Sequence, residues 1–167
     1  TAQKIVEGGK IGLFADYDVD GASSAALIIR FFKQLGIDTT LYIPDRVEEG
    51  YGPNIFGLRK LKADGANLIL TLDCGILAFD VLEKASNDGC EIIVIDHHKA
   101  EADLPSVKSI INPNRLDDDS ELGELAAVGV CFLFLVALNR RLRHIGYFNR
   151  LSEPNLIELL DLVALGT

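Results

Sequence analysis

Ile92-Ile93-Val94-Ile95-Asp96-His97-His98 is the stretch from which the rest of the chain is read. Four β-branched apolar residues in a row, in a strand expected over 91–95, have the composition of a strand buried on both faces. An acid and two imidazoles follow immediately. In a parallel sheet covered by helices, ligands bind beyond the carboxyl ends of the strands, so chemistry is expected where these residues lie. The same order recurs upstream. The apolar run 11–15 is followed by Asp16, Asp18 and Asp20, and the run 68–72 by Asp73.

Between these runs the periodicity is helical. A helix is predicted over 22–35, entered through Ser23 and Ser24 and stopped by Gly36. A strand over 40–43 ends at Pro44, a helix over 54–63 has Gly65 just beyond it, and a helix over 78–87 closes near Gly89. A fifth strand is expected over 109–111, ending at Asn112-Pro113, then an exposed loop over 117–120 and helices over 128–143 and 155–165. Apolar strands alternating with helices predict an α/β fold: a mostly parallel five-stranded sheet with helices on both faces.

The chain's 167 residues, 49% hydrophobic, suffice for one domain with its own core. A chain that opens on Thr1 and ends abruptly after an apolar run is expected to be a piece of a longer protein, here a single domain over 1–167. No cationic stretch followed by an apolar core opens it, so no secretory signal is expected. The longest apolar run, 126–138, falls short of the ~20 residues a membrane span needs and stops at Asn139-Arg140-Arg141, which predicts a buried helix and no membrane association. Cys74, Cys90 and Cys131 are odd in number and form no CxxC pair. That argues against a disulfide framework or structural zinc and points to the cytoplasm. A net charge of −9 counts against strong nucleic-acid binding by this stretch alone, although acids that bind metal explain part of it.

Asp16-Tyr17-Asp18-Val19-Asp20-Gly21 places three carboxylates within five residues. One or two acids in a turn are commonly just solvated, but three directly after a buried strand repel one another unless a cation neutralises them. The spacing is near that of an EF-hand calcium loop. That loop needs a Glu six residues after its Gly, where this chain has Leu27, and the preceding element is a strand. Calcium is excluded. Asp73, before Cys74 and Gly75, is equally consistent with a helix cap and a ligand. Imidazole combined with carboxylate suits Mn²⁺ or Zn²⁺, while Mg²⁺ prefers oxygen and water. Three strand ends thus converge on a two-metal centre of the kind that activates water for phosphoester hydrolysis.

The ordered set Asp16–Gly21, Asp73-Cys74-Gly75 and Asp96-His97-His98 resembles the DHH phosphoesterase superfamily. Within it, three features resemble the RecJ-type single-stranded-DNA exonucleases. Asp16 opens the first motif, while Phe14 occupies the position where many small-molecule members carry His. Ile43-Pro44-Asp45-Arg46 leads to Glu49-Gly50-Tyr51-Gly52. Ile111-Asn112-Pro113-Asn114 and the stretch from Glu124 to Val130 are similar to later RecJ segments. The resemblance implies Asp18, Asp20, Asp73 and His97 as metal ligands, with Asp73 bridging, and Asp16 as an auxiliary acid. It implies His98 facing the scissile phosphate, Asp96 orienting a His, Arg46 as a phosphate clamp, and Gly50 and Gly52 shaping its loop. An isolated Arg in a turn is more often merely solvated. The resemblance further implies two Mn²⁺ or Mg²⁺ ions, five-prime to three-prime hydrolysis of single-stranded DNA in repair and recombination, and a helicase or single-strand-binding protein as partner. Leu165-Gly166-Thr167 resembles the segment just before the family's fourth motif, so a further Asp and a strand-holding domain are expected beyond it; Asp161 is not assigned that role.

Three other readings compete. A small-molecule or short-oligonucleotide phosphodiesterase of the same superfamily shares the motifs. A haloacid-dehalogenase-like phosphatase also places DxD after a strand, but leaves the His pair unexplained. A non-catalytic replication scaffold on a decayed fold should have lost ligands, and the first three motifs are intact.

Overall fold

The computed structural model describes residues 1–149 and 151–167. Five strands, β1 (Ile11–Ala15), β2 (Thr39–Tyr42), β3 (Leu68–Leu72), β4 (Ile92–Ile95) and β5 (Ser109–Ile111), form one sheet in the order β2-β1-β3-β4-β5. Every pairing is parallel, not merely most. The helices are α1 (Ala2–Val6), α2 (Val19–Gln34), α3 (Ile55–Ala63), α4 (Phe79–Asn87), α5 (Ala127–His144) and α6 (Leu160–Gly166).

Strand alternation divides the core in two. Ile11, Leu13 and Ala15 of β1, Leu68, Leu70 and Leu72 of β3, and Ile93 and Ile95 of β4 face α2 and α5. Phe14, Ile69, Ile92 and Val94 face the other way, onto Leu58 and Leu61 of α3 and Leu82 of α4. The central strands are therefore apolar at nearly every position because each has two dry faces.

The chain leaves β1 for β2 on one side and returns past β1 to β3 on the other, with α2 and α3 on opposite faces. That reversal opens a crevice between the carboxyl ends of β1 and β3, where sheets of this order bind ligands.

Several boundaries differ from the sequence expectation. The second helix begins at Val19 rather than 22, because the Asp18 side chain caps it; Ser23 and Ser24 are buried inside it. The helix expected over 155–165 opens as a 3₁₀ turn, Leu156–Leu159, before α6, with the Asn155 side chain accepting from the Ile157 N–H. The short α1 and a 3₁₀ turn at Tyr147–Asn149 are additional. Among the described residues no helix is long and apolar enough to cross a membrane.

Candidate metal centre

Asp73 is the hub of the crevice. Its carboxylate is delivered by β3 into a site that leaves the residue 1% exposed, on a backbone with φ of 60°, a left-handed conformation uncommon outside glycine. Its N–H still pairs with the Ile95 carbonyl at 2.9 Å, so the strain is confined to the turn away from the sheet. Oδ1 is buried with no hydrogen-bond partner among the described residues. Burial, and then the neighbouring charges of Asp20 and Asp18, push the Asp73 acid up to about 8. A dry, donorless carboxylate facing other acids is costly alone and relieved by a divalent cation. The donor set therefore fits a metal.

Two groups of ligand atoms share Asp73. Those of Asp16, Asp18 and Asp73 lie within 4.8 Å of one another. Those of Asp73, His97 and His98 form the second such group: His97 Nε2 is 3.4 Å and His98 Nδ1 3.9 Å from Asp73 Oδ1, and His97 Nε2 also lies 3.6 Å from Asp20 Oδ2. His97 Nδ1 lies 3.0 Å from the Leu125 carbonyl, which can only accept. Nδ1 thus carries a proton, and Nε2 is turned toward the acids, as metal-ligating histidines are held.

The first-motif acids also organise the backbone. Asp18 Oδ1 accepts from the N–H groups of Asp20 (2.9 Å) and Gly21 (3.0 Å), capping α2. Asp20 reaches across to α5, whose own cap residue, Ala126, has no side-chain acceptor. Its two oxygens accept from the N–H groups of Ala127 and Val128, each at 2.7 Å. A carboxylate there also complements the positive end of the helix. Gly21 is required by proximity: a Cβ at this position would lie 2.5 Å from the Asp16 carbonyl oxygen. Asp16 is buried and accepts from the Tyr17 N–H at 2.8 Å, and burial raises its acid above the ordinary value.

Asp96 orients the His pair. Oδ1 accepts from the His97 N–H (2.7 Å), the His98 N–H (3.1 Å) and His98 Nδ1 (2.7 Å), while Oδ2 accepts from the Ile76 N–H (3.0 Å). Burial alone would raise this acid, but the hydrogen bonds from His98 and Ile76 outweigh it and hold it below the usual range. The same Asp96 bond raises His98 above its ordinary value. His98 remains half-exposed, its Nδ1 committed to Asp96 and its Nε2 3.5 Å from the Tyr51 hydroxyl.

Asp16, Asp18, Asp20, Asp73, His97 and His98 thus meet at one end of the sheet. Arg46 lies over Tyr17 of the first motif, its guanidinium 5.5 Å from the ring centroid and exposed to solvent. Gly50 and Gly52 take φ of 79° and 83°. Between them Tyr51 reaches inward, donating to the Asp73 carbonyl at 3.2 Å and lying 3.5 Å from each ring nitrogen of His98. Sequence reading quoted Tyr51 within the motif over 49–52 but gave it no role. A cavity of about 430 Å³ opens beside His98, lined by Tyr51, Pro53, Ile76, Leu77 and Val81 among others. Asp161 pairs instead with Arg30 at 2.8 Å and takes no part.

Residues 10–167 match the DHH family, N-terminal domain. The chain belongs to this family. This DHH chain is 43% identical over 164 residues to the single-stranded-DNA-specific exonuclease RecJ of Salmonella typhimurium (strain LT2), the match covering 96% of the chain and 28% of the relative. Its structure superposes on an exonuclease RecJ bound to manganese with a TM-score of 0.79 at 34% identity, covering 97% of this chain and 39% of that one. The Thermus thermophilus RecJ in complex with Mn²⁺ matches with a TM-score of 0.75 at 30% identity, over 99% of this chain and 22% of that one. The DHH chain spans well under half the length of these relatives.

Proposed function

We propose that this DHH domain, residues 1–167, carries the hydrolytic centre of a metal-dependent exonuclease that degrades single-stranded DNA from the five-prime end in repair and recombination. The observation that supports it is the buried, donorless Asp73 carboxylate standing between two groups of ligand atoms. Asp16, Asp18 and Asp73 would hold one Mn²⁺ or Mg²⁺, and Asp20, Asp73 and His97 a second. Asp16 is thereby assigned as a ligand rather than an auxiliary acid. Bound there, the ions supply Lewis acidity and a nucleophilic water at neutral pH.

The chain's own side chains do the rest. Asp96 fixes the His98 ring through Nδ1 and favours its protonated form, so that Nε2–H is presented to the scissile phosphate. There it stabilises negative charge or delivers a proton to the leaving oxygen. Arg46, exposed over Tyr17, would hold a neighbouring phosphate, and the turn built on Gly50 and Gly52 presents Tyr51 against His98. With a net charge of −9, the domain contributes little electrostatic attraction for DNA. Three buried free cysteines fit a cytoplasmic enzyme, with a helicase or single-strand-binding protein as partner.

The test is digestion of end-labelled single-stranded DNA in Mn²⁺ or Mg²⁺ at matched salt, with the whole protein and with residues 1–167. Mononucleotides released from the five-prime end by the whole protein, and far more slowly by residues 1–167, are expected. Cleavage of dinucleotides but not long strands would replace this reading with an oligonucleotide phosphodiesterase. A covalent phosphoenzyme would replace it with an aspartyl-phosphate phosphatase.

A further inference from the structure

We infer that Asn112 and Asn114 are positioning residues for the His97-His98 pair, with separable effects on metal binding and turnover. The inference rests on the metal-dependent reading above. The peptide groups around the pair are held from both sides. On one side, Asp96 Oδ1 accepts from the N–H groups of His97 and His98. On the other, the segment after β5 supplies donors to their carbonyls. Asn114 Nδ2 donates to the His97 carbonyl, and Asn112 Nδ2 donates to the His98 carbonyl at 2.9 Å.

The two asparagines are themselves fixed. The Asn114 N–H donates to Asn112 Oδ1 at 2.7 Å, and Asn114 Nδ2 also reaches the Gly123 carbonyl at 3.1 Å. Asn112 is 3% exposed, so its amide has no solvent to fall back on. Pro113 between them has no N–H to compete for these acceptors. The same segment leads to Leu125, whose carbonyl fixes the His97 tautomer, and to the α5 N–H groups that hold Asp20. One stretch after the edge strand thus locks the ligand face of the site from behind.

Only an amide serves at these positions. An aspartate in place of either asparagine would keep an acceptor but turn a carboxylate oxygen toward a carbonyl. The peptide that Asn114 holds lies between the two histidines and sets the direction of both rings. The peptide that Asn112 holds follows His98 and bears on that residue. Loss of the Asn114 donor should therefore weaken metal binding and turnover together. Loss of the Asn112 donor should lower turnover alone.

The experiment compares Asn112→Asp, Asn112→Ala, Asn114→Asp and Asn114→Ala with wild type in the whole protein. Mn²⁺ affinity is measured by calorimetry, kcat and KM on single-stranded DNA, and thermal melting with and without Mn²⁺. Both Asn114 variants are expected to lose ~10–100-fold in Mn²⁺ affinity, the range for residues that orient ligands. Both Asn112 variants are expected to keep affinity within about threefold while kcat falls ~10–100-fold at unchanged KM, the scale of a misplaced catalytic group. A purely structural role would lower melting temperature and leave affinity and kcat intact in the folded fraction; that result, or identical profiles for the two positions, overturns the inference. Wild type that binds no Mn²⁺ would overturn both this inference and the proposed function. Wild type that binds Mn²⁺ and cleaves DNA, beside variants that behave like it, overturns this inference alone.

Discussion

His98 Nδ1 and Asp96 Oδ1 stand 2.7 Å apart, and the Asp96 residue is only 1% exposed. The carboxylate is held ionised by its hydrogen bonds and in turn favours the imidazolium of His98. Asp96→Asn removes the charge while keeping an acceptor for the backbone N–H groups. It should lower the His98 pKa. If His98 acts protonated, activity is lost as pH rises through that pKa, so the alkaline limb of the kcat profile should move to lower pH. An unmoved limb would assign it to another group.

His98→Ala should reduce kcat in the whole protein by ~10²–10⁴-fold, the usual contribution of positioned proton transfer. Mn²⁺ affinity should change little, because Nδ1 is committed to Asp96 and the Nε2 of His97 faces the acids. Calorimetry checks this directly. A parallel fall in metal affinity would make His98 a ligand.

Asp73 makes metal-free stability depend on pH. Its folded acid is raised to about 8 from an ordinary value of 3.8. The neutral form is favoured on folding, so its contribution is complete below 3.8 and is lost as pH rises through about 8. In a chelator, Asp73→Asn should melt higher than wild type at about pH 8, and the gap should close toward about pH 4. Mn²⁺ should raise the melting temperature of wild type and leave Asp73→Asn nearly unchanged. A gap that widens on acidification would contradict the sign.

Asp20 should behave oppositely when metal is removed. Its oxygens satisfy two N–H groups at the start of α5, and buried hydrogen bonds to a charged group contribute ~1.5–3 kcal/mol each. Asp20→Ala should therefore destabilise the chain by ~2 kcal/mol or more in chelator, measured by denaturant unfolding. A stabilised Asp20→Ala would mean that repulsion from Asp73 outweighs the cap.

The core strands were legible because a doubly covered parallel strand leaves a local mark: runs such as Ile92–Ile95, apolar throughout, and Leu68–Leu72, apolar but for Thr71, each closed by an acid. The same logic placed every acid and imidazole of the site at a strand end. Helix starts were less legible. Asp18 begins α2 by accepting from N–H groups two and three residues on, and the serines at 23 and 24 drew the boundary inward.

The sequence by itself determined the alternating elements, the strand-end location of Asp16, Asp18, Asp20, Asp73, His97 and His98, and the family they resemble. Those features are written in neighbouring residues, through side-chain periodicity and spacing. Tertiary structure alone decided that β1 lies beside β3, so that Asp16 and Asp18 share a locus with Asp73. It alone turned Asp20 onto α5, brought Tyr51 against His98, and set Asn112 and Asn114 behind the His pair. These contacts join segments distant in the chain, and many end on backbone N–H or carbonyl groups, which every residue carries. No residue type announces them, and only packing selects which ones meet.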